Sequence, residues 1–312
     1  MKNRIIKKPS FVSLAIGVLM HSLRLNKYDG EIRQLKHIDK YQLLTAIKKE
    51  NGGTDCSIGC YTKNGRKFFI KTFEADQKDY RNYFIISEWF ISNLLYKTLK
   101  SKKSQITTPK PIRIISSDKS ISLVYEFIDG KTLSLFSTSY QTKVFIQIIT
   151  ELKRISSLLK KDEIELIPKR SIFFYLISLP YVSLLTFFRT YRNFKLLIKA
   201  FLITLTMLLS QKVNSKLSLA HRDLKPHNVM IKDSKIFLLD TGRMVLTVSG
   251  YDLALLSLDP TYISLTQSLE KKLKTPASKF LKSYIAIQFA DCTVSVGMGS
   301  KFWEFLKTEY AK

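Results

Sequence analysis

Acidic residues are what this sequence most lacks: its 25 Asp and Glu face 51 Lys and Arg, a net charge of +26 over 312 residues. Such an excess attracts polyanions, whether nucleic acid, an anionic membrane face or a phosphorylated substrate. The basic residues are spread along the chain without a dense arm, and no zinc-finger, RRM or KH pattern accompanies them, so nucleic acid is not the expected partner. Cysteine is scarce too. Cys56, Cys60 and Cys292 are too few for a disulfide framework, and the first two have no matching His or Cys pair for a zinc site. A reducing compartment is the default. Histidine numbers only 4, yet His221 and His227 share one short polar stretch. Against these shortages stand 45% apolar and 12% aromatic residues, which exclude a disordered chain and allow a substantial core.

Long apolar runs are few. "KNRIIKKPSFVSLAIGVLM", residues 2–20, begins like a signal sequence but lacks a small-x-small cleavage site, and His21 and Arg24 follow directly. It is read as part of a basic N-terminal extension, residues 1–39. The second run, residues 172–188, carries no charge and a central Pro180, and lies at the low end of bilayer-spanning length. With the apolar segment after it, this run reads either as two buried core helices or as a hairpin dipping into a membrane. Lys169, Arg170, Arg189, Arg192 and Lys195 would then lie at headgroup level.

The pattern between these segments changes along the chain. "CSIGCYTKNGRKFFIKTF" is two β-rich runs around Asn64-Gly65, a hairpin signal. Residues 78–100 read as a helix, with Tyr83, Ile86, Phe90, Leu94 and Leu95 at helical spacing. "PIRIISS" and "SISLVYEFI" are two further strands joined by a polar turn. After Asp129-Gly130 the chain turns mainly helical, with a brief return to strands at 229–239.

The chemistry concentrates in "LAHRDLKPHNVMIKDSKIFLLDTG", residues 219–242. Asp223 and Asn228 lie five residues apart, and Asp240 follows after a hairpin-like segment, an order that can bring two carboxylates and an amide together. Phosphoryl transfer needs such groups: one carboxylate at the acceptor hydroxyl, an amide and a second carboxylate for magnesium. In "HRDLKPHN" and "LLDTG" the chain resembles the protein-kinase-like superfamily. The resemblance implies an α+β, two-lobed fold: a small antiparallel-sheet N-lobe at 40–128, and a larger, mainly helical C-lobe at 129–312 with an apolar insertion near 172–188. It also implies ATP and Mg2+ as cofactors. Asp223, Lys225 and Asn228 would be catalytic, with Asn228 and Asp240 binding the metal. Lys71 would hold phosphates and pair with Glu88, 17 residues on. Gly52, Gly53 and Thr54 would cover the phosphates, although "NGGTDCSIG" departs from the usual glycine pattern. The backbone of Glu126 and Ile128 would meet adenine.

Departures from the family narrow the acceptor. Thr241 stands where regulated protein kinases have phenylalanine, "YDLALL" begins only 11 positions after Asp240, and no Ala-Pro-Glu occurs. The short link is similar to that of aminoglycoside, choline and lipopolysaccharide core sugar kinases. Arg243, three residues after Asp240, adds to the last likeness, and Asp252 would brace the catalytic loop unless it merely caps its helix. The expected acceptor is an anionic sugar, glycolipid or other hydroxyl-bearing small molecule. The expected location is the cytoplasm, with peripheral contact to anionic membrane at its inner face. "HRDLKP" is also typical of serine/threonine kinases, so a protein substrate stays open, as does a silent pseudokinase serving as a binding module.

Overall fold

The computed structural model describes residues 35–47, 56–74, 81–117, 120–165, 167–190, 194–211, 216–274, 277–290 and 298–310. In chain order these form β1 (His37–Ile38), β2 (Tyr41–Ala46), β3 (Cys56–Lys63), β4 (Arg66–Glu74), α1 (Arg81–Ser101), β5 (Ile106–Thr107), β6 (Pro111–Ser116), β7 (Ser120–Glu126) and β8 (Lys131–Thr132). Then come α2 (Thr138–Ser156), α3 (Lys161–Glu165), β9 (Lys169–Arg170), α4 (Ile172–Thr190), α5 (Phe194–Leu209), β10 (Leu217–Ala220), β11 (Val229–Lys232) and β12 (Lys235–Leu238). The chain closes with β13 (Val245–Val248), α6 (Tyr251–Ser257), α7 (Ile263–Leu273), α8 (Lys279–Phe289) and α9 (Met298–Tyr310). Two compact units result. The first holds the described residues up to Asn93 plus Pro109–Ile128, and the second holds Leu94–Thr108 and the chain from Asp129 onward. This is the expected α+β architecture, a sheet-rich N-lobe and a helical C-lobe.

The first unit is built on an antiparallel sheet in the order β1-β2-β3-β4-β7-β6. The β3–β4 turn falls where Asn64-Gly65 predicts it, with both residues at positive φ, 51° and 71°, as a tight two-residue hairpin requires. Alternation along β4 sorts its side chains. Ile70 joins Ile38, Tyr41, Tyr61 and Val124 on one face. Phe69 and Phe73 join Leu123, Tyr125 and Trp89 on the other. Lys71 shares the parity of Phe69 and Phe73, which directs it toward the face bearing Trp89 of α1. The helix buries Leu94 and Leu95 as their spacing predicts, but not Phe90. Its buried stripe runs Glu88, Ile91, Leu95 and Leu99, so Phe90 points to solvent. The side chains of Tyr83 and Ile86 lie outside the described residues.

The second unit combines its helices with two small sheets, β5-β12-β11-β8 and β10-β13-β9. The β11–β12 hairpin turns at Asp233-Ser234, both left-handed. Strands β10 and β13, unforeseen in the sequence, pair antiparallel and bracket the 221–228 loop and the β11–β12 hairpin. The apolar run at 172–188 lies in α4, which with α5 packs on α8. Tyr175 stacks edge-on against Tyr284 at 4.8 Å, and Thr186 donates to the Ile287 carbonyl at 2.7 Å. That face is core; the opposite face is open. No described helix is long and apolar enough to cross a membrane.

Gly130 is a tight point in this unit. A Cβ there would lie 2.7 Å from the Ile231 carbonyl oxygen, in backbone that cannot swing aside. Gly130→Ala should therefore cost about 1–3 kcal/mol of stability, read as a lower urea midpoint; an unchanged midpoint would refute the close approach.

Candidate active site

Within the first unit the expected ion pair is present. Lys71 Nζ donates to Glu88 Oε2 at 2.8 Å, with both side chains largely buried. Tyr125 Oη donates to the other carboxylate oxygen at 3.4 Å, so Glu88 is held from two sides. The Phe73 ring lies 5.3 Å from the Lys71 ammonium. Such a partly desolvated pair is more than a surface contact, because each charge would be left in an apolar surround without the other. At the end of β7, the Glu126 N–H is engaged by the Lys110 carbonyl at 2.9 Å, and Ile128 is buried. Gly52, Gly53 and Thr54 lie outside the described residues.

Within the second unit the 221–228 loop gathers the other groups. The Asn228 side-chain N–H donates to the Asp223 carbonyl at 2.8 Å and to its carboxylate at 3.2 Å. Lys225 Nζ approaches the second Asp223 oxygen to 3.3 Å. Asp223 thus faces one cation and one amide while remaining partly accessible, a carboxylate oriented but not shut away. Asp240 follows β12 at a left-handed φ of 50°. Its neighbour Leu239 is fixed on both sides: the N–H donates to the Asn228 carbonyl at 2.9 Å, and the carbonyl accepts from His221 Nε2 at 2.8 Å. The fully buried His221 therefore ties loop to segment; its ring is bracing, with Nε2 carrying the proton.

Asp252 supplies the second brace. Its two carboxylate oxygens accept the backbone N–H groups of His221 at 2.8 Å and Arg222 at 2.6 Å. Gly250 occupies the N-cap of α6, so Asp252 is not an ordinary helix cap. Burial pushes its carboxyl above the usual range, while His221, the two N–H bonds and Arg222 pull it back down. Arg222 itself sits at a φ of 66°, a conformation non-glycine residues adopt at a cost, and the bond from its N–H to Asp252 holds it there.

A group that the sequence pattern assigns elsewhere lies nearby. Arg170, which the membrane-hairpin alternative would put at headgroup level, turns inward. Its Nη1 is buried without a hydrogen-bond partner, as are Arg222 Nε and the Tyr251 hydroxyl. Burial first, then the neighbouring Arg222 charge, holds its guanidinium below the usual value. No motif marks Arg170, since only the β9–β13 pairing brings it to this loop. Arg243 is exposed, and its carbonyl lies 3.5 Å from Arg222 Nη1.

No protein-family model matches the sequence, and no curated protein matches it. Solved structures do match the fold. A thermostable mutant of aminoglycoside phosphotransferase APH(4)-Ia is 9% identical with a TM-score of 0.64, over 87% of this chain and 97% of that one. Spectinomycin phosphotransferase APH(9)-Ia, solved with ADP and spectinomycin, is 12% identical with a TM-score of 0.57, covering 86% and 89%. Amicoumacin kinase, solved with AMP-PNP, is 12% identical with a TM-score of 0.57, covering 88% and 89%. The likeness to these phosphotransferase and kinase structures is one of fold.

The Asp252 brace sets a graded expectation. Asp252→Ala orphans two buried N–H groups and should cost about 2–4 kcal/mol in urea unfolding, whereas Asp252→Asn, with one acceptor oxygen left, should cost roughly half. Equal effects from the two substitutions would show that the carboxylate does not serve both donors.

Proposed function

We propose that the chain is an ATP-dependent phosphotransferase that moves the γ-phosphoryl group to a hydroxyl of a sugar, glycolipid or other small molecule. The observation that carries this reading is the Asp223 carboxylate, met by Lys225 Nζ at 3.3 Å and the Asn228 amide at 3.2 Å. The prearranged Lys71–Glu88 pair at 2.8 Å supports it. Three solved structures of the same fold carry the names of small-molecule phosphotransferases or kinases.

Each residue has its own part in the transfer. Lys71, positioned by Glu88, holds nucleotide phosphates. The backbone of Glu126 and Ile128 is proposed to meet adenine, although the Glu126 N–H already donates to the Lys110 carbonyl. Gly52, Gly53 and Thr54 are proposed to cover the phosphates. Asp223 orients the acceptor hydroxyl and takes its proton as the new oxygen–phosphorus bond forms and the bond to ADP breaks. Lys225 offsets charge on the moving phosphoryl group, and most of the rate comes from positioning and electrostatics.

The donor set fits magnesium. The amide nitrogen of Asn228 is turned to Asp223, which turns its oxygen away, and Asp240 adds a carboxylate. Among the described residues no group of three His, Cys, Asp or Glu could hold a metal, so the ion would have to take its other oxygens from phosphates and water. Such a Mg2+ would supply charge neutralisation on the phosphates.

An anionic acceptor is the favoured class. The buried, unpartnered N–H groups of Arg170 and Arg222, with Arg243 exposed beside them, offer a negative group what the protein does not provide. A glycolipid acceptor would place the enzyme at the inner face of the cytoplasmic membrane. The serine/threonine-kinase reading draws on Lys225, but β13 fills the stretch after Asp240 with four buried residues paired to β10 and β9. That leaves no exposed segment there to seat a peptide.

Labelled γ-phosphate from Mg-ATP, traced into small-molecule, lipid and protein fractions, tests the reading. Label should enter the first two and fall roughly 10²–10⁴-fold with Asp223→Asn while the melting temperature holds. Label confined to protein would favour the serine/threonine kinase, and ATP binding without turnover would favour the silent module. Arg170→Lys, which keeps the charge but loses the planar fork, should raise the acceptor KM about tenfold with kcat retained; an unchanged KM would remove the arginines from acceptor binding.

A further inference from the structure

We infer that the outer face of the α4–α5 hairpin is a docking surface for an anionic lipid bilayer, on which the hairpin lies in the plane of the interface without crossing. Large exposed apolar side chains are the starting point. Phe173 is 64% exposed, Ile177 61%, Leu184 54% and Phe188 52% on α4; on α5, Leu202 and Leu209 reach 53% and 67%, with Ile198 also open. The spacings 173-177-184-188 and 198-202-209 each keep to one side of a helix. These are outward stripes, opposite the faces whose Tyr175, Leu179, Ala200 and Leu208 pack inward. Between the two helices runs an apolar groove of about 220 Å³ lined by Pro180, Leu184, Phe187 and Ile198. Two neighbouring stripes and a groove make one continuous face, unlike the scattered single residues usual on a soluble surface.

Charge identifies the occupant. From 166 to 222 the chain contains no Asp or Glu, while Lys169, Arg189, Arg192, Lys195, Lys199, Lys212 and Lys216 fall within that span, and the whole chain carries +26. Lys195 and Lys199 are exposed on α5 itself. A bulky apolar face within an exclusively basic stretch matches an acyl boundary beneath anionic headgroups. A second copy of the chain would bring like charge to like. Neither helix is long and apolar enough to span, so the contact is one of lying on the surface. This inference deepens the glycolipid reading above but does not require catalysis.

The test is flotation of the full chain, without ATP, with vesicles of neutral phosphatidylcholine or of phosphatidylcholine containing one quarter phosphatidylglycerol. Binding to the anionic vesicles should exceed binding to the neutral ones and fall as salt rises. Ile177→Gln with Leu202→Gln should weaken it roughly tenfold or more, since two exposed aliphatic groups no longer enter the acyl region. Leu135→Gln, at a still more exposed position outside the two helices, should leave it unchanged. Both variants change exposed side chains, and matched thermal melts check the fold. Vesicle binding needs no substrate, so a catalytically silent chain that floats would sink the kinase reading and keep this one. Failure of the full chain to float, whether a second copy or residues 1–34 cover the face, overturns the inference, as does binding insensitive to the double variant.

Discussion

The 221–228 loop depends on one buried carboxylate. Asp252 reaches from the start of α6 to the N–H groups of His221 and Arg222, and its two oxygens hold open a backbone turn that Arg222 would not adopt alone. From that fixed point a short chain of hydrogen bonds leads onward. His221 binds the Leu239 carbonyl, the Leu239 N–H binds the Asn228 carbonyl, and the Asn228 side chain binds Asp223. Each bond alone contributes about 1 kcal/mol. Together they couple a helix, a loop and the segment bearing Asp240, so the proposed catalytic carboxylate and metal-binding carboxylate cannot shift independently. A buried, hydrogen-bonded polar network specifies one geometry where an apolar core would tolerate several.

The shortage of acid gives the remaining electrostatics its character. With 51 basic residues to 25 acidic ones, most cations have no carboxylate to meet. The few buried acids are committed to internal tasks, Glu88 to Lys71 and Asp252 to the loop. Arg170 feels the shortage directly. It is carried inward on β9, beside a second guanidinium, with no carboxylate hydrogen-bonded to it among the described residues. Desolvating a guanidinium is costly unless something negative arrives. A built-in deficit of this kind favours binding of an anion over a neutral or cationic ligand of the same shape.

How legible this is in the sequence depends on the distance over which each feature is encoded. The Asn64-Gly65 and β11–β12 hairpins can be read directly because turn chemistry and strand parity are local rules, whereas the Lys71–Glu88 pair, 17 residues apart, follows only from the family resemblance. The facing of α1 cannot. Its apolar residues outnumber the positions on one face, and Glu88, polar yet buried, belongs to the inner stripe only because Lys71 waits there. Strands β10 and β13 are four residues each, recognisable only once paired with each other. Arg170 is misleading for a related reason: next to an apolar run a basic residue looks like a flank, and only a parallel pairing with β13 turns it inward.

The segment after Asp240 joins these threads. In four residues, Val245–Val248, it passes as a wholly buried strand between β10 and β9, and then turns through Gly250 into the helix that carries Asp252. A loop in this place could be ordered or released by a modification. A central strand cannot, because leaving would break its ladders to both neighbours and expose four buried side chains, three of them aliphatic. The geometry of the catalytic loop is therefore set by permanent packing. On the proposed reading, control over the transfer would then fall to where the protein sits and which anion reaches its arginines, the two properties that the lack of acidic residues shapes most.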